Sequence, residues 1–147
     1  MPPRNILLKP ASGDCNLRCR YCFYHDEAAN RACRSYGRMT LETLEAVISK
    51  SMAAAEGQCT FGFQGGEPTL AGLDFFRHVV ALEQAYSRPG LRVYNALQTN
   101  GTLLDESWAA FLRENNFLVG VSLDGHQSLH DLYRKDAAGN GTFDRVM

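Results

Sequence analysis

No stretch of this chain is apolar for long enough to cross a bilayer, and its start, Met1 to Lys9, holds only the triplet Ile6-Leu7-Leu8, too short for a signal-peptide core. Charge of one sign is also lacking. Fifteen basic against sixteen acidic residues leave a net charge of -1, which excludes the basic footprint of a nucleic-acid or anionic-membrane binder. There is no phosphate loop, no Gly-x-Gly-x-x-Gly fingerprint and no Ser/His/Asp grouping in a supporting context. Repeats, linkers and low-complexity segments are absent too. What remains is a chain of 147 residues with 45% hydrophobic and 10% aromatic residues. That suits one folded soluble domain, expected to be cytoplasmic, with no nucleic-acid or membrane partner.

Cysteine is present in an odd number, five. Cys15, Cys19 and Cys22 crowd into one short stretch, while Cys33 and Cys59 stand alone. Disulfide pairing accounts poorly for that, and closely spaced thiols in a reducing compartment more often bind metal or do redox chemistry. Three thiolates on an irregular loop can turn inward around one metal centre. A cubane iron–sulfur cluster needs a ligand on every iron, and proteins commonly supply all of them as thiolates. With no fourth cysteine nearby, one iron would stay open to a small molecule, as catalytic metals do. A zinc site is the rival reading, because His25 follows Cys22 by three and would complete a Cys3His set. Cys59, at the start of an apolar run, reads as an ordinary core thiol, and Cys33 as equally unremarkable.

Four apolar runs read as strands: Ile6 to Lys9, Thr60 to Gln64, Leu91 to Gln98 and Phe117 to Leu123. In the third, Leu91, Val93, Asn95 and Leu97 share one face while Arg92, Tyr94 and Ala96 share the other. The fourth is almost continuously apolar, as in a strand buried on both faces of a parallel sheet. Three helices are expected between them. Thr40 caps one carrying Leu44, Val47, Ile48, Met52 and Ala55, with Gly57 at its end. Another carries Phe75, Val79, Leu82 and Tyr86 and stops at Pro89-Gly90. Asp105 caps the third, with Trp108, Phe111 and Leu112 as core positions, and Asn115-Asn116 ends it. After the last strand, Gly141-Thr142-Phe143 looks like a further helix start. His126 and His130, four apart, read as a solvated helix face rather than a metal pair.

Strand alternating with helix implies right-handed crossovers and a parallel α/β sheet or barrel. The unusual residues all follow strands: Cys15 to Cys22, Gly65-Gly66-Glu67-Pro68, Gln98-Thr99-Asn100-Gly101 and Ser122-Leu123-Asp124-Gly125. Carboxyl ends of parallel strands are where such folds build their sites, so one shared site is expected. Taken singly, each glycine-bearing string is an ordinary turn.

The pattern Cys-x3-Cys-x2-Cys, with Tyr21 before the last cysteine and Gly-Gly-Glu-Pro some forty residues later, resembles the radical S-adenosylmethionine superfamily over the whole chain. Within it, Lys9-Pro10-Ala11-Ser12, Cys22-Phe23-Tyr24-His25, Phe63-Gln64-Gly65-Gly66-Glu67-Pro68, Leu97-Gln98-Thr99-Asn100-Gly101 and Arg134-Lys135-Asp136 resemble the anaerobic sulfatase-maturating enzymes. Those enzymes convert one cysteine or serine of a sulfatase into formylglycine, a post-translational modification that uses a 5′-deoxyadenosyl radical. The resemblance implies a partial (β/α)6 barrel, with residues 1–147 forming about four of its units. It implies a [4Fe-4S] cluster held by Cys15, Cys19 and Cys22, with S-adenosyl-L-methionine on the open iron. Cofactor contacts fall on Tyr21, Gly65, Gly66, Glu67, Gln98, Ser122 and Arg134. Gly65 and Gly66 would let the backbone approach the methionine amine, Glu67 would offer its carboxylate to a cationic group, and Arg134 would clamp the methionine carboxylate as a fork. Tyr24 and Gln64 fall on the substrate side, where Gln98 also faces. A sulfatase polypeptide is the implied substrate and flavodoxin or ferredoxin the electron donor, with the catalytic base, the closing barrel units and auxiliary clusters downstream. Such a fragment is expected to be inactive alone. The alternatives are a radical enzyme acting on another peptide and a zinc-binding interaction module.

Overall fold

The computed structural model describes residues 2–147. Its four strands, β1 (Arg4–Leu8), β2 (Gln58–Phe63), β3 (Arg92–Thr99) and β4 (Leu118–Val121), form one sheet in the order β1-β2-β3-β4. All three pairings are parallel, with Leu8 opposite Phe63, Phe63 opposite Leu97, and Leu97 opposite Val119. Parallel neighbours need long crossovers, and helices supply them: α2 (Leu41–Ala54), α3 (Leu73–Ala85) and α4 (Glu106–Glu114). The sequence places these elements to within a few residues, and the expected α/β architecture with four strand–helix units is the one observed.

The caps explain the boundaries. Thr40 Oγ1 accepts the Thr43 N–H at 3.1 Å, and an Asp105 carboxylate oxygen accepts that of Trp108 at 2.9 Å, each satisfying a helix-start donor that has no partner within the helix. Leu44, Ile48 and Met52 of α2, Phe75, Phe76 and Val79 of α3, and Trp108, Phe111 and Leu112 of α4 all pack on one side of the sheet, against Leu8, Phe61, Phe63 and Leu97. Phe76 lies at its centre, 5.1 Å from the Phe63 ring and 5.2 Å from Trp108 in edge-on geometry, the arrangement the ring quadrupoles favour.

The other face of the sheet is not covered by these three helices. Leu7, Gly62, Ala96, Gln98, Leu118 and Gly120 line an open trough there, and Tyr94 is exposed. The period-two pattern of β3 anticipates this: Asn95 and Leu97 are buried while Arg92, Tyr94 and Gln98 point away. Among the described residues β4 pairs with β3 alone, which leaves Leu118 75% and Val121 44% exposed rather than buried on both faces as its apolar run suggests.

Among the described residues there are also a 3-10 turn (Pro68–Ala71) after β2 and three short α-helices: α1 (Phe23–Ala29), directly after the last clustered cysteine, α5 (Gln127–Tyr133), and α6 (Phe143–Val146). The last begins at Thr142, where the sequence places a helix start. The reading of His130 as a solvated residue is wrong: it is completely buried, packed edge-on against Phe143 at 5.6 Å. Among the described residues no helix is long and apolar enough to cross a membrane.

Candidate active site

All four strand-end segments meet. A cavity of about 230 Å³ is lined by Cys15, Cys19 and Cys22 from the loop after β1, by Gln64 to Glu67 after β2, by Gln98 to Asn100 at the end of β3, and by Ser122 after β4, with Tyr21, Tyr24 and Arg134 at its sides. Every site residue taken from the sequence therefore borders one space.

Backbone contacts hold the cysteine loop over the sheet. Gly66 N–H donates to Ser12 O at 3.2 Å and Glu67 N–H to Asp14 O at 2.7 Å. A Cβ on Gly66 would stand 1.9 Å from Asp14 O, and one on Gly65, whose φ is +120°, would meet Ser12 O at 2.9 Å. The two glycines thus let the cysteine loop lie directly on the loop after β2, a steric demand that the sequence reading did not foresee.

Glu67 also behaves differently from expectation. Its side chain is 1% exposed, and internal donors occupy it. Oε1 accepts from Thr69 N at 3.0 Å, Thr69 Oγ1 at 2.6 Å and Thr99 Oγ1 at 2.7 Å, and Oε2 accepts from Asn100 N at 2.7 Å. The carboxylate ties the ends of β2 and β3 together rather than standing free for a cation.

Hydrogen-bond donors surround the sulfurs. Leu17 N–H points at Cys15 Sγ at 3.4 Å, Asn100 Nδ2 reaches the same atom at 3.7 Å, and Arg134 Nη1 lies 3.9 Å from Cys19 Sγ. Burial pushes the Cys15 thiol up, and the Leu17 and Asn100 donors oppose it. Burial raises Cys19 as well, against the pull of Arg134. Among the described residues, no three His, Cys, Asp or Glu side chains are grouped to hold a single ion. His25, which a zinc site would need, pairs its Nε2 with Arg34 at 3.3 Å instead.

Arg134 is seated by the backbone. Arg18 N–H donates to Lys135 O at 2.6 Å and Arg20 N–H to Tyr133 O at 3.0 Å, so the segment after α5 runs beside the cysteine loop and sets Arg134 opposite Cys19. Its Nε donates to Asp124 Oδ1 at 2.9 Å, and its guanidinium lies over the Tyr21 ring at 5.5 Å. Tyr21 donates its hydroxyl to the other Asp124 oxygen. Burial and that bond push the Tyr21 phenol up to about 12. Burial alone would raise the Asp124 carboxyl, but the bonds from Tyr21 and Arg134 hold it below the ordinary carboxylate range.

On the far side, Gln98 Nε2 donates to Ser122 Oγ at 3.1 Å, and a Cβ on Gly120 would strike Gln98 Oε1 at 2.3 Å. Gln64 Nε2 approaches the Tyr24 hydroxyl at 3.4 Å, and Lys9 Nζ sits 4.6 Å above the Tyr24 ring. Asn16 and Thr102 were not anticipated at the site, while Asn100 and Asp124 were expected there only as members of the strand-end turns, with no role of their own. Asn100 is 7% exposed and bonds to Asn16 Oδ1 at 2.9 Å, while its own Oδ1 accepts from Thr102 Oγ1 at 2.8 Å. Both Asn100 and Asp124 precede a glycine at a strand end, and that position was the available signal.

A parallel β/α sheet with three thiols on the loop after its first strand and a glycine-glycine-glutamate turn after its second defines a class. The radical SAM superfamily model matches residues 10–147, and the chain belongs to that superfamily. It is 54% identical over 146 residues to the cysteine-type anaerobic sulfatase-maturating enzyme of Clostridium perfringens, covering 99% of this chain and 40% of that enzyme. It is 38% identical over 148 residues to the serine-type anaerobic sulfatase-maturating enzyme of Klebsiella aerogenes, covering 99% of this chain and 35% of that one. A solved structure described as native anSMEcpe with bound AdoMet superposes with a TM-score of 0.92 at 53% identity, over 98% of this chain and 39% of that chain. Another, with bound AdoMet and Cp18Cys peptide, superposes with a TM-score of 0.91 at 52% identity, over 99% of this chain and 38% of that one. The chain spans about 40% of the length of the first of these relatives.

Proposed function

We propose that residues 1–147 form the cofactor-binding part of an anaerobic sulfatase-maturating enzyme, which oxidises a cysteine or serine of a sulfatase polypeptide to formylglycine. The observation that carries this is the convergence of Cys15, Cys19 and Cys22 with three further strand-end loops on one cavity, in a chain similar to maturases of both types. Its greater identity to the cysteine-type enzyme favours a cysteine target.

The donor set fits a [4Fe-4S] cluster. Cys33 is exposed and Cys59 lies within the sheet, so neither adds a fourth thiolate. Cys15, Cys19 and Cys22 as ligands then leave one iron for the amine and carboxylate of S-adenosyl-L-methionine. The nearby N–H donors of Leu17, Asn100 and Arg134 offset thiolate charge, a recognised influence on cluster potential. When bound, the cluster and its cofactor supply one-electron cleavage of the sulfonium and a radical that takes hydrogen from carbon.

The chain's own residues orient and enclose. Arg134 keeps Nε on Asp124 and turns Nη1 toward the cluster position, from which its fork reaches the methionine carboxylate. Ser122, held by Gln98, adds a hydroxyl donor to the cofactor. The backbone at Gly65 and Gly66 and the backbone at Tyr21 flank it, and Glu67 acts by fixing the loops they belong to. Tyr24 and Gln64 face the peptide. We assign the general base and the remaining barrel units to the part of the relatives' length that this chain does not span. A low-potential donor of the flavodoxin or ferredoxin type feeds the cluster in the cytoplasm.

The test uses the full-length protein, reconstituted anaerobically with iron and sulfide, reduced, and given peptides carrying cysteine or serine in a sulfatase-like context. Mass spectrometry should show formylglycine in the cysteine peptide. Cofactor cleavage with both peptides unchanged would reassign the enzyme to another peptide, and stoichiometric zinc without iron would refute the assignment.

A further inference from the structure

We infer that His130 and Thr142 are positioning residues for Arg134, joined by a buried hydrogen-bond relay that fixes the carboxylate-binding guanidinium beside the cluster loop. The inference rests on the reading of Arg134 given above and extends it to residues that touch neither cofactor nor cluster.

His130 is 0% exposed and Thr142 1% exposed. The Asp124 N–H donates to His130 Nδ1 at 3.4 Å, so the ring proton resides on Nε2. Nε2–H then donates to Thr142 Oγ1 at 3.1 Å, and the Thr142 hydroxyl donates onward to the carbonyl oxygen of Arg134 at 2.9 Å. The two ends of this relay are the two partners of the ion pair: Asp124 is held at its backbone nitrogen, Arg134 at its backbone oxygen, and their side chains meet at 2.9 Å. Arg134 also donates its N–H to His130 O at 2.7 Å, as the residue that ends α5.

Thr142 is itself fixed. Asp131 Oδ1 accepts both the Thr142 N–H at 2.7 Å and the Phe143 N–H at 2.9 Å, and a Cβ on Gly141 would come within 2.2 Å of the Asp131 carboxyl carbon. One purpose accounts for these contacts. The neighbours of Arg134 are held through Tyr133 O and Lys135 O and its own N–H by His130 O; the Thr142 hydroxyl holds its carbonyl as well, completing the support of a long side chain whose position must hold to a fraction of an ångström. A histidine closed off from solvent can shuttle nothing to the cavity, so its contribution is geometric.

The experiment measures binding rather than turnover, in the full-length protein loaded with its cluster. Dissociation constants for S-adenosyl-L-methionine are obtained by equilibrium dialysis for Thr142→Val, Thr142→Ser, Arg134→Gln and the double variant Thr142→Val with Arg134→Gln. Loss of one neutral hydrogen bond corresponds to about a fivefold change, so Thr142→Val should weaken binding about fivefold at unchanged iron content, and Thr142→Ser should restore it. In the Arg134→Gln background, Thr142→Val should add nothing, because the two act through one group. Wild-type affinity in Thr142→Val, or an undiminished effect in the Arg134→Gln background, would overturn the inference. Wild-type affinity in Arg134→Gln itself would refute the reading of Arg134, and the positioning role would fall with it. If Thr142→Val fails to retain its cluster, His130→Asn serves in its place. It keeps an acceptor for Asp124 N–H while losing the donor to Thr142, and it should reproduce the same fivefold loss and the same non-additivity.

Discussion

A Cβ built on Gly66 would stand 1.9 Å from the carbonyl oxygen of Asp14. The backbone of the cysteine loop rests on that glycine with no room for a methyl group, and the neighbouring Glu67 N–H anchors the same Asp14 oxygen at 2.7 Å. Gly65 meets two demands, a φ of +120° and a close approach to Ser12 O, whereas Gly66 meets the close approach of the cysteine loop alone.

Gly66→Ala should therefore lift the cysteine loop off the loop after β2. Backbone cannot yield as a flexible side chain can, so the cost is about 3 kcal/mol or more. The full-length variant should show a lower unfolding midpoint before any cluster is added, and less iron retained afterwards. Wild-type stability in the cluster-free variant would contradict the steric account.

Glu67→Gln is isosteric yet should be damaging. The carboxylate accepts four hydrogen bonds from Thr69, Thr99 and Asn100; an amide turns an NH2 group toward donors and leaves buried groups unpaired, at about 2–4 kcal/mol. Chemical denaturation of the cluster-free protein should show the loss with no cofactor present. If Glu67 served only the cofactor, cluster-free stability would be unchanged and only cofactor affinity would fall.

Glu83 of α3 and Asn95 of β3 form a buried pair far from the chemistry. Asn95 Nδ2 donates to Glu83 Oε2 at 2.8 Å, while among the described residues Glu83 Oε1 and Asn95 Oδ1 have no hydrogen-bond partner. A proton on Oε1 would turn that atom into a donor, and a protonated carboxyl is the form that burial favours. Burial pushes Glu83 up to about 7 from 4.5, so the folded protein binds this proton more tightly than the unfolded chain. The resulting stability is complete below pH 4.5 and is lost as pH rises toward 7, amounting to about 3 kcal/mol. Glu83→Gln mimics the protonated pair. The variant and wild type should match in unfolding free energy near the lower pH, and the variant should lead as pH passes the upper one. Parallel pH profiles would show that Glu83 does not titrate there.

Cys19→Ala should abolish cluster retention and cofactor cleavage in the full-length protein, whereas Cys33→Ala should leave both intact. Cys33 is exposed and directs its thiol to the Ser35 carbonyl. Iron and sulfide content, with release of 5′-deoxyadenosine, provides the check; intact cleavage in Cys19→Ala would remove that thiol from the ligand set.

The alternation of strand and helix was legible because both periodicities are local: Leu44, Ile48 and Met52 recur at helical spacing, and Asn95 and Leu97 alternate with Tyr94 and Gln98. Capping at Thr40 and Asp105 was legible for the same reason, since a cap needs only the next three residues. The three cysteines and the glycine-glycine-glutamate turn were recognisable as strings, and their position after strands placed them together. Whether β4 is central or an edge depends on what pairs with it, and its own residues carry no record of that. The carboxylate of Glu67 could be assigned to its three partners only once β2 and β3 lay side by side. His130 shows the same limit most sharply, because a seven-residue helix with mixed polarity has no sequence signature that separates the buried His130 from the exposed His126 at its N-cap. Short-range spacing determined the elements and the site's membership; contacts between segments distant in the chain decided which side chains face the chemistry and which hold the others in place.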